Sequence, residues 1–294
     1  MQLITHRAID VGLGALPVRT LKESRWESFY EQVHAGWGLE FDIQPLRDGH
    51  FAVSHDSNLA RISLGKKICI STLTVDEFKA VATPGGRLCS LDEILSLIDE
   101  SGHAISALHL KRHCHDPEIL ERLLEALAPK VQSLTGRLLI FDATPKVAEK
   151  IVQKYPGLDI AASVAHSYDV LRYGAITGGT LLTSEQVLVN KHLYSWAWLD
   201  EWDTLDFENG RKTFVNRETI KLFRDAGIKV AAVSPELHSS SPALLGAETH
   251  EDGVDETRLI NRWAQFRQLG IDALCTDHAS WISKNLNLLT RPEQ

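Results

Sequence analysis

Leu39-Glu40-Phe41-Asp42-Ile43-Gln44 is an apolar run of strand length that carries two carboxylates, and its reading decides the fold. Side chains two apart share one face of a strand, so Glu40 and Asp42 lie together while Phe41 takes the other face. In a barrel both acids then face inward or both outward, with Phe41 turned toward the covering helices when they face in. Working outward, seven more β-rich runs recur: Gln2 to Thr5, Ile105 to Leu110, Arg137 to Phe141, Leu158 to Val164, Tyr194 to Leu199, Ile228 to Val233 and Ile271 to Thr276. Gly36, Gly157, Gly227 and Gly270 stand just ahead of four of the runs and read as left-handed helix stops.

Helical patterns fill the intervals. Ser90-Leu91-Asp92-Glu93 is a capping-box match, and Asp116-Pro117 and Thr144-Pro145 each put an N-cap residue before a proline. Apolar stripes run over Asn216 to Ala226 and Asp255 to Leu269. Strands alternating with helices predict an α/β fold, and eight such units predict one (β/α)8 TIM barrel over residues 1–294; an open doubly wound sheet is the alternative. Asp48-Gly49 between Phe41-Asp42-Ile43 and Phe51-Ala52-Val53 predicts a hairpin, followed by a small insertion after the second strand, at about 56–90. The polar stretch from Ser239 to Gly253 follows a strand and reads as a flexible flap on the active-site face.

Composition narrows the function classes. The 294 residues carry 31 Lys plus Arg against 39 Asp plus Glu, a net charge of −8, without a Lys/Arg block. That argues against a nucleic-acid partner, whose phosphates demand many cationic contacts. No apolar run approaches the roughly 20 residues of a membrane span, and the first residues lack the cationic and apolar regions of a signal peptide, so no stable membrane insertion and a cytoplasmic location are expected. Cys69, Cys89, Cys114 and Cys275 are far apart and fit reduced thiols.

Active groups of such a barrel belong at strand C-termini. His6-Arg7, Glu40-x-Asp42, His55-Asp56 and His109-x-Lys111 fall there. Two inward carboxylates repel unless a cation lies between them; a hard divalent ion is one candidate, and an ion pair with Arg7 or Lys111 is the other. His6 and His55 bracket the acidic pair and, with Arg7 and Lys111, suit phosphodiester chemistry, which needs a base, an acid and positive charge at the phosphorus. The later strand-end groups Asp142, His166, Asp200, Glu201, Glu236, His238, Asp277 and His278 read mostly as solvated loop starts. His113, Cys114 and His115 read as a polar loop rather than a second metal site, and Trp196, Trp198 and Trp202 as packing.

Together Thr5-His6-Arg7, Leu39 to Gln44, and Arg47-Asp48-Gly49 through His55-Asp56 to Leu59-Ala60-Arg61 resemble the glycerophosphodiester phosphodiesterase family, whose pattern is His-Arg, Glu-x-Asp, Asp-Gly, a short apolar run and His-Asp with Leu-x-Arg following. Leu88 to Leu95 and Ile271 to Asp277 add weaker matches. The resemblance implies a phosphoric diester hydrolase acting on a small phosphodiester, with His6 and His55 as acid–base pair, Glu40 and Asp42 as ligands of a divalent metal ion (Mg²⁺ or Ca²⁺) and Arg7 on the phosphate. The chain departs from the pattern where Glu-x-Lys ends the third strand: here it is His109-Leu110-Lys111. A histidine ligand removes a negative charge and moves the preference toward Mn²⁺, Zn²⁺ or Fe²⁺. Further departures are Glu23-Ser24-Arg25 for Glu-Asn-Thr, a longer loop from Ala8 to Lys22, and Ser234-Pro235-Glu236-Leu237-His238 for Trp-Thr-x-Asn. A non-catalytic barrel binding phosphorylated metabolites and a lyase releasing a cyclic phosphate remain as alternatives.

Overall fold

A computed structural model describes residues 1–13, 22–63, 65–101, 104–206, 210–240 and 250–285. Its strands are β1 (Gln2–His6), β2 (Gly38–Pro45), β3 (Phe51–Val53), β4 (Ser106–His109), β5 (Leu138–Phe141), β6 (Asp159–Val164), β7 (Leu181–Leu182), β8 (Trp196–Leu199), β9 (Leu205–Asp206), β10 (Gly210–Arg211), β11 (Lys229–Val233) and β12 (Ala273–Thr276). The eight strands that correspond to the eight runs, β1, β2, β4, β5, β6, β8, β11 and β12, pair in parallel in that order, and β12 pairs back onto β1. The sheet is therefore a closed (β/α)8 barrel, not the open alternative.

Alternation along each strand sorts the side chains into two layers. Ile4, Ala107, Leu139, Ala161, Trp196, Ala231 and Ala273 form one buried cluster, the barrel interior. Leu39, Phe41, Ile43, Leu108, Ile140, Val164 and Leu274 belong to the larger cluster that includes Leu91, Leu95, Leu123, Ile151 and Phe266 of the covering helices. Each such side chain contributes about 1.5–3 kcal/mol when fully buried, so this outer layer is the main source of stability. Close strand approach sets one sequence requirement: a Cβ on Gly38 would lie 1.8 Å from the Ile105 carbonyl oxygen.

The hairpin forms as expected, with β3 antiparallel to β2 and Gly49 at φ 94° in its turn. Residues 56–90 then build a small core of their own from Leu59, Ile62, Ile70, Phe78 and Leu88 against Leu46 and Ala52. Arg25, completely buried, fastens this insertion to the barrel by donating to the carbonyls of Ile62 at 3.0 Å and Pro84 at 3.2 Å.

Several local expectations hold. Ser90 and Glu93 exchange backbone bonds, and the Asp116 carboxylate accepts from Glu118 and Ile119 N–H groups. Others do not. Thr144 starts its helix without a side-chain cap bond, and Gly157, unlike Gly36, Gly227 and Gly270, is not left-handed; the helix Pro145–Lys154 has ended before it. The pairing of β5 with β6 stops at Ile140–Ile160, and β7 takes the free edge of β6 at Ser163 and Val164. Parts of the predicted flap (241–249) and of the Ala8 to Lys22 loop (14–21) lie outside the described residues. Among the described residues no helix is long and apolar enough to cross a membrane.

Candidate active site

At the C-terminal mouth lies a cavity of about 460 Å³ lined by His6, Arg7, Glu40, His55, His109 and Lys111 on one side. The side chains that the sequence singles out thus come together, except that Asp42 lies beneath the surface, fully buried. Glu40 and Asp42 both face inward, with Phe41 in the outer layer.

Each of the two histidines is oriented by a carboxylate. His6 Nδ1 donates to Asp277 Oδ1 at 3.0 Å, and His55 Nδ1 donates to Asp56 Oδ1 at 2.7 Å. A carboxylate only accepts, so these bonds place a proton on Nδ1 and leave Nε2 as the lone-pair nitrogen of the neutral ring. Burial lowers the pKa of His55 below the usual imidazole range, against the pull of Asp42 and Asp56 upward.

The acids are braced by a continuous set of ion pairs. Arg61 donates to Asp56 at 2.7 Å and forks onto Glu23, which in turn meets Arg7 at 3.4 Å. Arg7 Nε lies 3.1 Å and Lys111 Nζ 3.5 Å from Asp42. Glu40 accepts instead from the Arg7 backbone N–H at 3.2 Å. Neighbouring charge separates the two carboxyls. Burial and the proximity of Asp42 raise the pKa of Glu40, whereas Lys111, His55 and Arg7 overcome the burial of Asp42 and hold it well below the ordinary range.

His109 lies between Asp42, 2.9 Å from Nδ1, and Asp142, 3.4 Å from Nε2. Although burial opposes its charge, these two carboxylates raise its pKa to about 9. Glu40, Asp42 and His109 each offer a donor atom, all within 4.8 Å of one another, and Asp42 Oδ2 is taken up by the ion pair with Arg7 Nε at 3.1 Å. Two carboxylate oxygens and one imidazole nitrogen so close together are a donor set that fits a divalent cation. The ion pairs of Asp42 with Arg7 and Lys111 are present as well, so both readings of the acidic pair are compatible with this geometry.

Strain collects here. Arg7, Ala8, Ser24 and Asp142 are non-glycine residues at φ 51°, 58°, 54° and 67°, a conformation that costs about 1–3 kcal/mol each. All four adjoin the groups just described.

The expectation that later strand ends are mostly solvated is corrected. Asp277 and Glu236 are buried, with Glu236 accepting from Thr276 Oγ1 at 2.6 Å, and Glu201 is buried against Arg262 at 2.7 Å and His250 at 3.1 Å. Loops close over the rim, and what periodicity presents as a strand end is interior. Asp277 has a local sign in Thr276-Asp277, but Glu23, Arg61 and Asp142 become site residues only through closure of the barrel. His113 and His115 each meet a backbone carbonyl, of Ile43 and Leu110, which agrees with the loop reading. Trp196 is core; Trp198 stacks on Phe141 at 4.2 Å and Trp202 on Tyr173 at 4.8 Å, and both also line the cavity. Leu181, Val233, Leu237, Asp200 and His238, with Ser163, Ile176, Thr177 and Thr180, line this opposite wall.

Comparison with known proteins accords with this geometry. No curated protein matches the chain in sequence. Among solved structures, a glycerophosphoryl diester phosphodiesterase from Parabacteroides distasonis superposes with a TM-score of 0.64 at 15% identity, covering 100% of this chain and 88% of that one. A glycerophosphodiester phosphodiesterase from Thermotoga maritima gives 0.60 at 19% identity, covering 96% of each. An Oleispira antarctica phosphodiesterase in complex with the product sn-glycerol-3-phosphate gives 0.58 at 17%, covering 98% of this chain and 97% of the other. These likenesses concern the fold. The family model for glycerophosphoryl diester phosphodiesterases matches residues 19–280, beginning after His6 and Arg7 but spanning Glu40, Asp42, His55 and Asp277, and the chain belongs to that family of phosphoric diester hydrolases.

Proposed function

We propose that the chain is a single barrel domain with an insertion at about 56–90, and that it hydrolyses a small glycerophosphodiester to an alcohol and a phosphomonoester at this cavity. The observation that carries the reading is the convergence of two imidazoles, each with its Nδ1 held by an aspartate, beside Glu40 and Lys111. In this reading His55, kept neutral by burial, takes a proton at Nε2 from the attacking water, and His6, entering with a second proton on Nε2 while Nδ1–H stays on Asp277, delivers that proton to the departing alcohol oxygen. Arg7 and Lys111 stabilise charge on the phosphoryl oxygens. Arg61 and Glu23 act at one remove by holding Asp56 and Arg7.

Glu40, Asp42 and His109 would hold a divalent ion, which when bound supplies additional positive charge for the phosphoryl group. The oxygen donors suit Mg²⁺ or Ca²⁺, and the histidine extends the range to Mn²⁺ and Zn²⁺. The product sn-glycerol-3-phosphate found in the Oleispira antarctica structure supports a glycerol phosphate as one half of the substrate.

Incubation of the purified chain with glycerophosphodiesters across added Mg²⁺, Ca²⁺, Mn²⁺ and Zn²⁺, followed by phosphorus NMR, tests the proposal. A phosphomonoester is the expected product. A cyclic phosphate that persists would replace hydrolysis by cyclising release, and inertness with every ion would leave a binding protein.

A further inference from the structure

His109 stands between two carboxylates, and only one of them belongs to the acidic pair that the sequence singles out. Asp42 faces Nδ1 at 2.9 Å; Asp142, from the end of β5, faces Nε2 at 3.4 Å. The ring is further fixed by stacking on Phe141, with centroids 4.6 Å apart and planes 14° from parallel. Asp142 reaches this place from a backbone at φ 67°, in the left-handed region that aspartate tolerates better than most residues but that still carries strain.

We propose that Asp142 is a positioning residue that makes His109 a metal ligand. The inference rests on the reading in which Glu40, Asp42 and His109 hold a divalent ion. A neutral imidazole has one N–H and one bare nitrogen, and only the bare nitrogen ligates. With both nitrogens facing carboxylates, each carries a proton until an ion held by Glu40 and Asp42 displaces the one on Nδ1; Asp142, an acceptor, keeps the remaining N–H on Nε2, so Nδ1 is the nitrogen left to ligate. Without Asp142 the proton settles on Nδ1, drawn by Asp42, and the ring turns a donor toward the ion. Asp142 also returns, one strand away, the negative charge that a histidine in place of a glutamate removes from the cluster. Carboxylate partners of ligating histidines act in this way in other metal sites, and their loss weakens binding about 10–100-fold.

The test uses the whole chain and Mn²⁺, with binding followed by calorimetry and ligation by the ¹⁴N modulation of the Mn²⁺ spin echo. The wild type is expected to bind Mn²⁺ with a nitrogen modulation that His109→Gln abolishes. Asp142→Asn keeps the size of the side chain, and Asp142→Gly removes it while relieving the backbone. Both are expected to bind Mn²⁺ about 10–100-fold more weakly with the modulation reduced. In the His109→Gln background, Asp142→Asn is expected to change nothing further. Wild-type affinity and modulation in both Asp142 variants would overturn the inference while sparing the metal reading. An equal loss in the His109→Gln background would overturn it too, by making Asp142 a direct ligand. Failure of the wild type to bind Mn²⁺ at all would remove the ligand set itself, and the inference with it.

Discussion

On the β1 to β4 side of the cavity every lining side chain is titratable, from His6 and Arg7 through Glu40 and His55 to His109, Lys111, Arg112 and His113. On the side built by β6, β8 and β11 the lining mixes apolar Ile176, Leu181, Trp198, Trp202, Val233 and Leu237 with Ser163, Thr177, Thr180, Asp200 and His238. The first wall is held by ion pairs and left-handed backbone, neither of which makes a protein more stable: buried pairs barely repay their desolvation, and strained residues cost energy outright. The second has one such pair, His238 with Asp200 at 2.9 Å, and is otherwise held by stacked rings and apolar contact, which do stabilise. A wall that spends stability to fix charges in place is what transition-state stabilisation requires, since groups aimed beforehand need not reorganise during reaction. The apolar wall can shape and dry the alcohol end of a substrate without joining the proton transfers.

If the division is right, the largest effect belongs to the titratable wall. His6→Ala and His55→Ala should each lower kcat on a glycerophosphodiester by about 10²–10⁴-fold, with circular dichroism and melting nearly unchanged. Undiminished kcat in both would relocate the chemistry.

Next comes Glu201, behind the apolar wall, which accepts from Arg262, His250 and the Phe214 and Val215 N–H groups. Glu201→Ala leaves Arg262 buried without that partner and should cost about 3–5 kcal/mol in urea unfolding, with turnover per folded molecule little changed. Burial pushes the Glu201 carboxyl up, but the bond from His250 and the charge of Arg262 hold it at about 2. Its folded-state pKa is therefore depressed, so its contribution is full above pH 4.5 and fades as the pH falls through 2; Glu201→Gln should flatten that part of the acid-unfolding curve.

The smallest effect sharpens the comparison most. The buried Trp202 indole N–H has no hydrogen-bond partner among the described residues, so Trp202→Phe removes no internal bond while still allowing an aromatic stack on Tyr173. Trp202 lines the cavity, so the smaller ring trims the surface that the alcohol portion meets, and KM should rise by up to about tenfold with kcat nearly constant. A fall in kcat with KM unchanged would place Trp202 with the reacting groups.

Much of this was legible beforehand where one segment carries the information. The faces of β2, the Asp48-Gly49 turn and the caps at Ser90 and Asp116 follow from spacing of a few residues. Thr144 shows the limit, since its identity fits a cap that its side chain does not form. The partnership of His6 with Asp277 joins residues 271 apart, and Arg61 reaches Glu23 from inside the insertion. Neither pair shares a segment, so no periodicity could disclose it.

Alternation every second residue and helical stripes are local properties of the backbone, and by themselves they determined that eight strands would alternate with helices and that Glu40 and Asp42 would share one strand face. Closure and register decided the rest: which carboxylate orients each imidazole, that Asp142 reaches His109, and that tryptophans face the charges across the cavity. Side chains remote in sequence acquire neighbours only when β12 pairs with β1, because the contacts between them depend on the angle of each strand around the barrel and not on spacing along the chain.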